Sequence, residues 1–409
     1  MLSFFRKYPD FTKLWLGKMI STIGDTVLLV WSLSIIYGET ESTIMGSLVF
    51  LAGMIPDAIV KPISGTIMDT RDPRKFLIWG SVFQALSLLP MLAVSIWASS
   101  WLVWVILAFN FVESIFNSFV RSASSVLIHS IVDKEDMPKM ASISSTGSSI
   151  CNIVGLALGG TLVALLGNTW VITLDFISFI FVVLFVLFVA SYKVPNSEQR
   201  ASFQFFKEGM KYLWRKPSLR FILILALIYN IGLAPVMVLM PAQVIRYADG
   251  GNQSFYISIH YVAFDVGMLL MGLFLAHKGF KNRRLMLTYS LVGCTLAFVL
   301  MGFFQVLWVS LACMFVTGIS IVSGQIPISS IMMQETEHEL VGRVNSAFDT
   351  IASVGMPAMM FIAGVLGDFI SISATYYFLA ILLFFNAIRT FINGHVMEAS
   401  VSDLKEKSV

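Results

Sequence analysis

Long apolar runs separated by short polar breaks repeat along the whole chain. They fall at 14–37, 44–67, 76–98, 101–127, 140–166, 169–192, 219–247, 254–277, 284–304, 306–333, 342–368 and 372–395. A helix needs about 20 mostly apolar residues to cross a bilayer, so each run predicts one membrane span, twelve in all. The breaks alternate in character. Those at 38–43, 99–100, 167–168, 248–253, 305 and 369–371 hold no Lys or Arg. Those at 68–75, 128–139, 193–218, 278–283 and 334–341 are longer, and all but the last are basic. The positive-inside rule therefore places the basic set and both termini in the cytoplasm, with Arg246 the main basic residue near the other side. The longest break, KVPNSEQRASFQFFKEGMKYLWRKPS, separates six runs from six. In it Phe205, Phe206, Met210 and Leu213 recur near helical spacing opposite Lys207, Glu208, Lys211 and Arg215. That pattern predicts an amphipathic surface helix from about Phe203 to Arg215. The expected fold is an all-α polytopic membrane protein in three parts: a six-helix bundle over 1–192, a cytoplasmic linker over 193–218, and a second six-helix bundle with a short tail over 219–409.

Composition agrees with this class and narrows what the chain does. Hydrophobic residues make up 57% and charged residues 12%, against about 25% charged in soluble domains. With 409 residues, twelve spans leave little room for any other domain. The net charge of +3 carries no message for nucleic acid, because in such a chain the placement of Lys and Arg is what matters. Cys151, Cys294 and Cys313 all lie in apolar runs, so neither a disulfide framework nor a metal site is expected, and no cofactor. The opening MLSFFRKYPDFTK lacks the small-residue cleavage site of a signal peptide, so the first run is expected to stay as a helix. No phosphate-cradling glycine loop, HExxH or nucleophile elbow is present in the sequence. An enzyme is not expected, and any transport must draw on an ion gradient or on the substrate's own.

The break between the second and third runs, GTIMDTRDPRKFL from Gly65, is a tight polar turn carrying Asp69, Arg71, Asp72, Arg74 and Lys75. A degenerate copy, GLFLAHKGFKNRRLML, begins at Gly272, half a chain later. Two halves of six spans with a basic turn after each second helix point to the two-bundle architecture of secondary transporters. The Gly, Asp and basic cluster resembles the loop between the second and third helices of major facilitator transporters. Ile55, Pro56, Pro62, Gly65, Asp69, Arg74 and Lys75 together resemble the exporter branch that includes macrolide efflux proteins and the enterobactin exporter. The stretch FVRSASSVLIHSIVDKEDMPKMAS is similar to the same branch, with Arg121 at its arginine, and so are KEGMKYLWRKPSLR and the group Gln334, Gly342, Arg343 and Val344. The resemblance implies Gly65, Asp69, Arg74, Lys75 and Arg121 as a gating hinge that pairs with helix ends in one state and releases in the other. Antiporters of this superfamily carry a glycine-rich run with a proline in the fifth helix. Gly155, Gly159 and Gly160 match it, while Cys151 stands for a glycine and Leu156 for the proline. Gly155 and Gly159 share one helix face, where another helix can come close, and plain packing accounts for them equally well.

Charged residues inside the spans are the candidates for chemistry, since each costs about 2.5–3.5 kcal/mol at a helix centre. In the second span Asp57, Lys61, Gly65 and Asp69 form a stripe at intervals of four, and Asp57 can pair with Lys61 along the helix. That pair either fixes helix packing or takes part in transport. The first span holds Lys18 and Asp25, with Ser21 and Thr22 between them; the fourth holds Asn110, Glu113, Asn117 and Arg121. The second half is poorer, with His260 and Asp265 in the eighth span and Asp349 in the eleventh. Glu113 has no basic residue one turn away and ranks with Asp57 as a proton-coupling candidate, ahead of Asp265. His129 and His338 read as surface residues of cytoplasmic loops. The expected protein is a monomeric, multi-pass transporter of the inner membrane. It exports an amphipathic, cationic drug-like compound, a macrolide or several drugs, in exchange for protons by alternating access. The alternatives are a dedicated exporter of a siderophore, peptide or lipid, or a membrane sensor or immunity protein that does not transport.

Overall fold

The computed structural model describes residues 2–68, 71–97, 99–190, 203–247, 253–279, 282–337 and 340–394. Among these, every regular element is helical, and twelve helices are long and apolar enough to cross a membrane. They are α1 (Pro9–Thr40), α2 (Thr43–Met68), α3 (Pro73–Trp97), α4 (Leu102–Ile131), α5 (Met137–Leu166) and α6 (Asn168–Leu187). The later ones are α7 (Pro217–Leu233, continued as Val236–Ile245), α8 (Gln253–Lys278), α9 (Arg283–Phe303), α10 (Leu307–Glu335), α11 (Val341–Ser353, continued as Met356–Phe369) and α12 (Ile372–Asn393). Separate short helices cover Leu2–Lys7 and Phe203–Arg215.

Local chemistry sets the ends. Pro9, Pro73 and Pro217 each open a helix, where the missing N–H costs nothing. Asn282 and Ser371 cap α9 and α12, their side-chain oxygens accepting from Leu285 N and Ala374 N at 2.9 and 3.0 Å. α1 stops at Glu41, which takes the left-handed conformation (φ 49°), and Gly167 at φ 78° separates α5 from α6. α7 breaks just before Val236 at Ala234 and Pro235, where proline removes a backbone donor. Helix α1 begins well before its apolar run because its first turns dock on aromatic residues: Phe4, Tyr8 and Phe11 are buried with Val132 and Ile143.

The chain forms two compact units. The first holds Met1–Glu41, Leu48–Arg200 and Ala248–Ile259; the second holds Ser42–Ser47, Ala201–Tyr247 and His260–Val409. The boundary therefore cuts through α2 and α8. Within the second unit Asp368 of α11 caps α2, accepting from Thr43 N at 2.6 Å, Ile44 N at 3.1 Å and Ser42 Oγ at 2.6 Å. A carboxylate there meets the free N–H groups and the positive end of the helix. Within the first unit the opening turn of α8 lies on α5, where a Cβ added at Gly160 would sit 2.7 Å from Ser258 Oγ, and Ser254 Oγ donates to Ser34 Oγ at 2.6 Å.

The first unit's core joins Leu14, Met68, Leu77, Ala123, Leu127 and Val186 from α1, α2, α3, α4 and α6. In the second, the helix over Phe203–Arg215 packs by Leu213 onto Leu219, Ile331, Val344 and Ala347. The helix predicted over Phe203–Arg215 is present at those bounds, and Leu213, Phe206 and Tyr212 of its apolar face pack on protein. Arg343 Nη1 also donates to Glu208 Oε2 at 2.7 Å, and a side chain at Gly209 would overlap Arg343 O. The outside of both units is apolar. Trp97, Trp101, Trp104, Trp170 and Trp308 are exposed at helix ends next to the breaks without Lys or Arg, the positions of an interfacial aromatic belt.

Candidate transport site

A cavity of about 470 Å³ opens within the first unit, walled by α1, α3, α4, α5 and α6. Its apolar walls include Phe11, Trp15, Met140, Phe179 and Val182. Its polar walls come from Lys18, Ser21, Thr22 and Asp25 of α1, Gln84 of α3, and Asn117 and Arg121 of α4. One helix face carries the α1 group because positions three, four and seven apart share a side. Lys13 also lines the cavity but is held by Asp10 Oδ1 at 2.7 Å and donates to Phe188 O at 2.6 Å. Asp25 makes no ion pair among the described residues, and its nearest donor is Ser21 Oγ at a long 3.4 Å.

The predicted pairing along α2 is not what the fold makes. Asp57 pairs across helices: Arg121 Nη2 donates to its Oδ2 at 3.0 Å and Ser118 Oγ to its Oδ1 at 2.5 Å. Lys61 is exposed and forms no bridge to it. The physical reason is geometric: Ser118 and Arg121 are three apart on the face of α4 that meets α2, so hydroxyl and guanidinium reach the two carboxylate oxygens together. Arg121 thereby neutralises the charge of Asp57. Glu113 stands behind the cavity wall, where Gln84 Nε2 of α3 donates to its Oε1 at 2.9 Å. Asp25 and Asp57 lie within electrostatic reach of Glu113. Asn110 is turned back on its own helix, donating to Ile106 O at 2.8 Å, whereas Asn117 faces the cavity.

The remaining candidates, His129 apart, lie away from the cavity. Asp265 is half-buried in α8 within the second unit, and His260, one turn before it, is fully buried beside Ser310 Oγ at 2.8 Å. Asp349 is exposed. His129, expected on a cytoplasmic loop, instead lies in the last turn of α4 and lines the cavity, its Nδ1 2.7 Å from Ser125 O. Asp69 and His338 fall outside the described residues. Gly65 lies in the last turn of α2 with open space at the position of a Cβ. In the hinge, Asp72 Oδ1 accepts from Arg74 N at 3.0 Å, and the Arg74 guanidinium donates to Leu187 O at 2.7 Å, a cation on the carbonyl end of α6. Lys75 is exposed. Gly155 and Gly159 touch α1 closely, an added Cβ falling 2.8 Å from Thr26 Cβ and 3.4 Å from Val27 Cα respectively.

Three polar residues at this site escaped the sequence reading. Ser118 and Gln84 look like ordinary small and amide residues until the helices that face them are known. Asp175 of α6 sits in the apolar TLDFISF with no charged neighbour, and it is 1% exposed. A purely compositional scan for carboxylates in apolar runs was the signal that could have found it.

Twelve membrane-length helices, with a charged-walled cavity inside the first unit, mark a polytopic membrane protein. Residues 14–358 match the family model of the Major Facilitator Superfamily, and the chain belongs to that superfamily. It is 24% identical over 371 residues to Macrolide efflux protein A of Streptococcus pyogenes, covering 89% of this chain and 90% of the relative. It is 26% identical over 315 residues to Macrolide efflux protein A of Enterococcus faecalis, covering 75% and 96%. A third relative is Multidrug efflux pump Tap of Mycolicibacterium fortuitum, 24% identical over 366 residues, covering 86% and 88%. Among solved structures, nucleoside transporter NupG superposes with a TM-score of 0.72 at 12% identity, covering 94% of this chain and 99% of that one. A bacterial homologue of the iron transporter ferroportin, in an inward-facing state, superposes with a TM-score of 0.71 at 17% identity and the same coverage. These likenesses show the fold. The chain is thus a multi-pass membrane transporter and not an enzyme.

Proposed function

We propose that this transporter exports an amphipathic compound bearing a cationic amine, of the macrolide or multidrug class, from the cytoplasm in exchange for protons. The observation that carries the reading is the cavity itself: greasy aromatic and aliphatic walls with one carboxylate, Asp25, facing the space without an ion pair. Apolar walls with a few placed polar groups suit a drug-sized ligand, and Asp25 offers the counter-charge to an amine. The relatives' efflux names support the class of cargo and the outward direction.

Coupling follows from the carboxylates around the cavity. Asp57 is held by Arg121 and Ser118, so a proton on Asp57 dissolves the ion pair and frees the Arg121 guanidinium, which already lines the cavity. A freed cation beside Asp25 competes with the bound amine and favours its release. Glu113, held by Gln84, is the second proton acceptor of this reading. Asp265 and Lys61 stand as lesser candidates, and Gly65, Asp69, Arg74 and Lys75 as the hinge that changes partners between states. The proposed setting is the inner membrane of a bacterium, with both termini cytoplasmic and the protein working as a monomer.

The test is proton movement in everted membrane vesicles. A pH-sensitive dye is followed while erythromycin, a lipophilic cation and a siderophore are added in turn. Proton release from the lumen that follows one compound class and disappears in Glu113→Gln or Asp57→Asn is the expected result. No release with any compound from folded, inserted protein overturns proton-coupled drug export.

A further inference from the structure

Asp175 is absent from the cycle just described, yet it is the most enclosed carboxylate of the first unit. It sits on the face of α6 that meets α1. Gly17 and Gly24 of α1 let the two helices approach there, with Val182 Cα 3.4 Å from an added Cβ at Gly17. At Gly24 the added Cβ would overlap Asp175 Oδ1 and lie 2.8 Å from Ser178 Oγ. The carboxyl is therefore pressed against the α1 backbone one residue from Asp25. The two acids flank the same turn, Asp25 on the cavity side and Asp175 on the buried side.

Its satisfaction is incomplete. Oδ1 accepts from Ser178 Oγ at 3.2 Å, and Oδ2 has no hydrogen-bond partner among the described residues. The surroundings offer no compensating charge. Asp25 on α1 and Glu113 on α4 are its electrostatic neighbours, both acidic. Lys18 lies two turns from Asp25 on α1, α3 carries its charges only at Arg74 and Lys75 in the first turn, and α5 has only Lys139 at its start. Gln84 of α3 is already committed to Glu113, and Cys151 of α5 is uncharged in its thiol form. An ionised carboxylate that is buried, short of donors and without a cation is strongly disfavoured.

We propose that Asp175 is a third proton-carrying carboxyl of the transport cycle, holding its proton while α1 and α6 are closed at Gly24 and yielding it toward Asp25 and the cavity when that contact loosens. In the transfer the Asp175 O–H bond breaks and the proton passes to the Asp25 carboxylate or to water in the cavity, with no redox change. The proposal rests on the proton-antiport reading above. The bland alternative is a neutral acid that only fills space between two helices.

Two measurements separate these. Infrared difference spectra of the purified full-length protein at neutral pH report the C=O stretch of protonated carboxyls. Asp175→Asn is expected to remove part of that band. In proteoliposomes the same variant is expected to keep erythromycin counterflow, which needs no gradient, while losing gradient-driven uptake and its pH dependence. Asp175→Glu, which retains the carboxyl, is expected to restore part of the pH dependence. An unchanged infrared band, or gradient-driven uptake with the wild-type pH profile, overturns the role of Asp175. Loss of counterflow in both variants overturns it too, in favour of a structural acid. If the wild type itself moves no protons, the antiport reading fails, and with it the role in the cycle. The infrared band then shows separately whether Asp175 stores a proton at all.

Discussion

Replacing Asp57 by Asn tests whether its partnership with Arg121 is a working contact or a brace. The pair is open to the cavity, with side-chain exposures of 54% for Arg121 and 29% for Asp57. Exposed pairs are worth about 0.2–1 kcal/mol, whereas breaking a buried pair costs about 3–5 kcal/mol. Asn preserves the oxygen that accepts from Ser118, so only the charge is lost. The predicted destabilisation is therefore about 1 kcal/mol, which lowers the unfolding midpoint by about 1 °C for a chain of 409 residues. Transport should respond out of proportion, because Arg121 is permanently free and the proton-sensitive group is gone. The assay pairs thermal unfolding of the purified protein with erythromycin uptake into everted vesicles. A loss near that of a buried pair, or full gradient-driven uptake in Asp57→Asn, refutes the assignment.

Other predictions rest on separate contacts. Gly24→Ala drives a methyl into Asp175 and Ser178 and should destabilise by about 1–3 kcal/mol, read by thermal unfolding, where Ser21→Ala changes little. Gly209→Ala should cost more than Glu208→Ala, because the methyl meets the Arg343 backbone, which cannot move aside as a side chain can, while the Glu208 and Arg343 bridge is exposed. At the amino terminus, Lys7 Nζ sits 3.1 Å from Asp133 Oδ2 and 2.7 Å from Asp136 Oδ2. Hydrogen bonds from Tyr8 and Lys7 lower the Asp133 carboxyl below its ordinary 3.8, so its contribution to docking is present above that value and lost as pH falls further. The hydrogen bond to Asp136 raises Lys7 above its ordinary 10.5, so its contribution is complete below that value and lost only in stronger alkali. Protease sensitivity of the amino-terminal helix should thus be flat between these limits in the wild type, and raised throughout in Lys7→Ala.

The spans were legible because a bilayer imposes a length and a polarity that any run of Leu, Ile, Val and Phe displays directly. The ends of α2, α5 and α8 fall within three residues of the apolar runs. Partnerships across helices were not legible. Lys61 is four residues from Asp57 and looks like its mate in one dimension, but Arg121, 64 residues away, takes the place once α2 and α4 pack. Asp175 illustrates a second kind of omission. It belongs to no polar stripe, and its meaning comes from Gly24, a residue whose importance is the space it leaves for a carboxylate on another helix. The Phe203–Arg215 helix was legible from its periodicity, but its contacts through Leu213 with Leu219, Ile331, Val344 and Ala347 were not, because periodicity identifies an apolar face without naming what covers it.

The most direct measurement is uphill transport by the purified protein. It is reconstituted in proteoliposomes with an acidic lumen and a neutral exterior, and labelled erythromycin is followed into the lumen. The account predicts accumulation above the outside concentration that collapses when a protonophore is added. Equilibration to the outside concentration alone, unaffected by the protonophore, contradicts it.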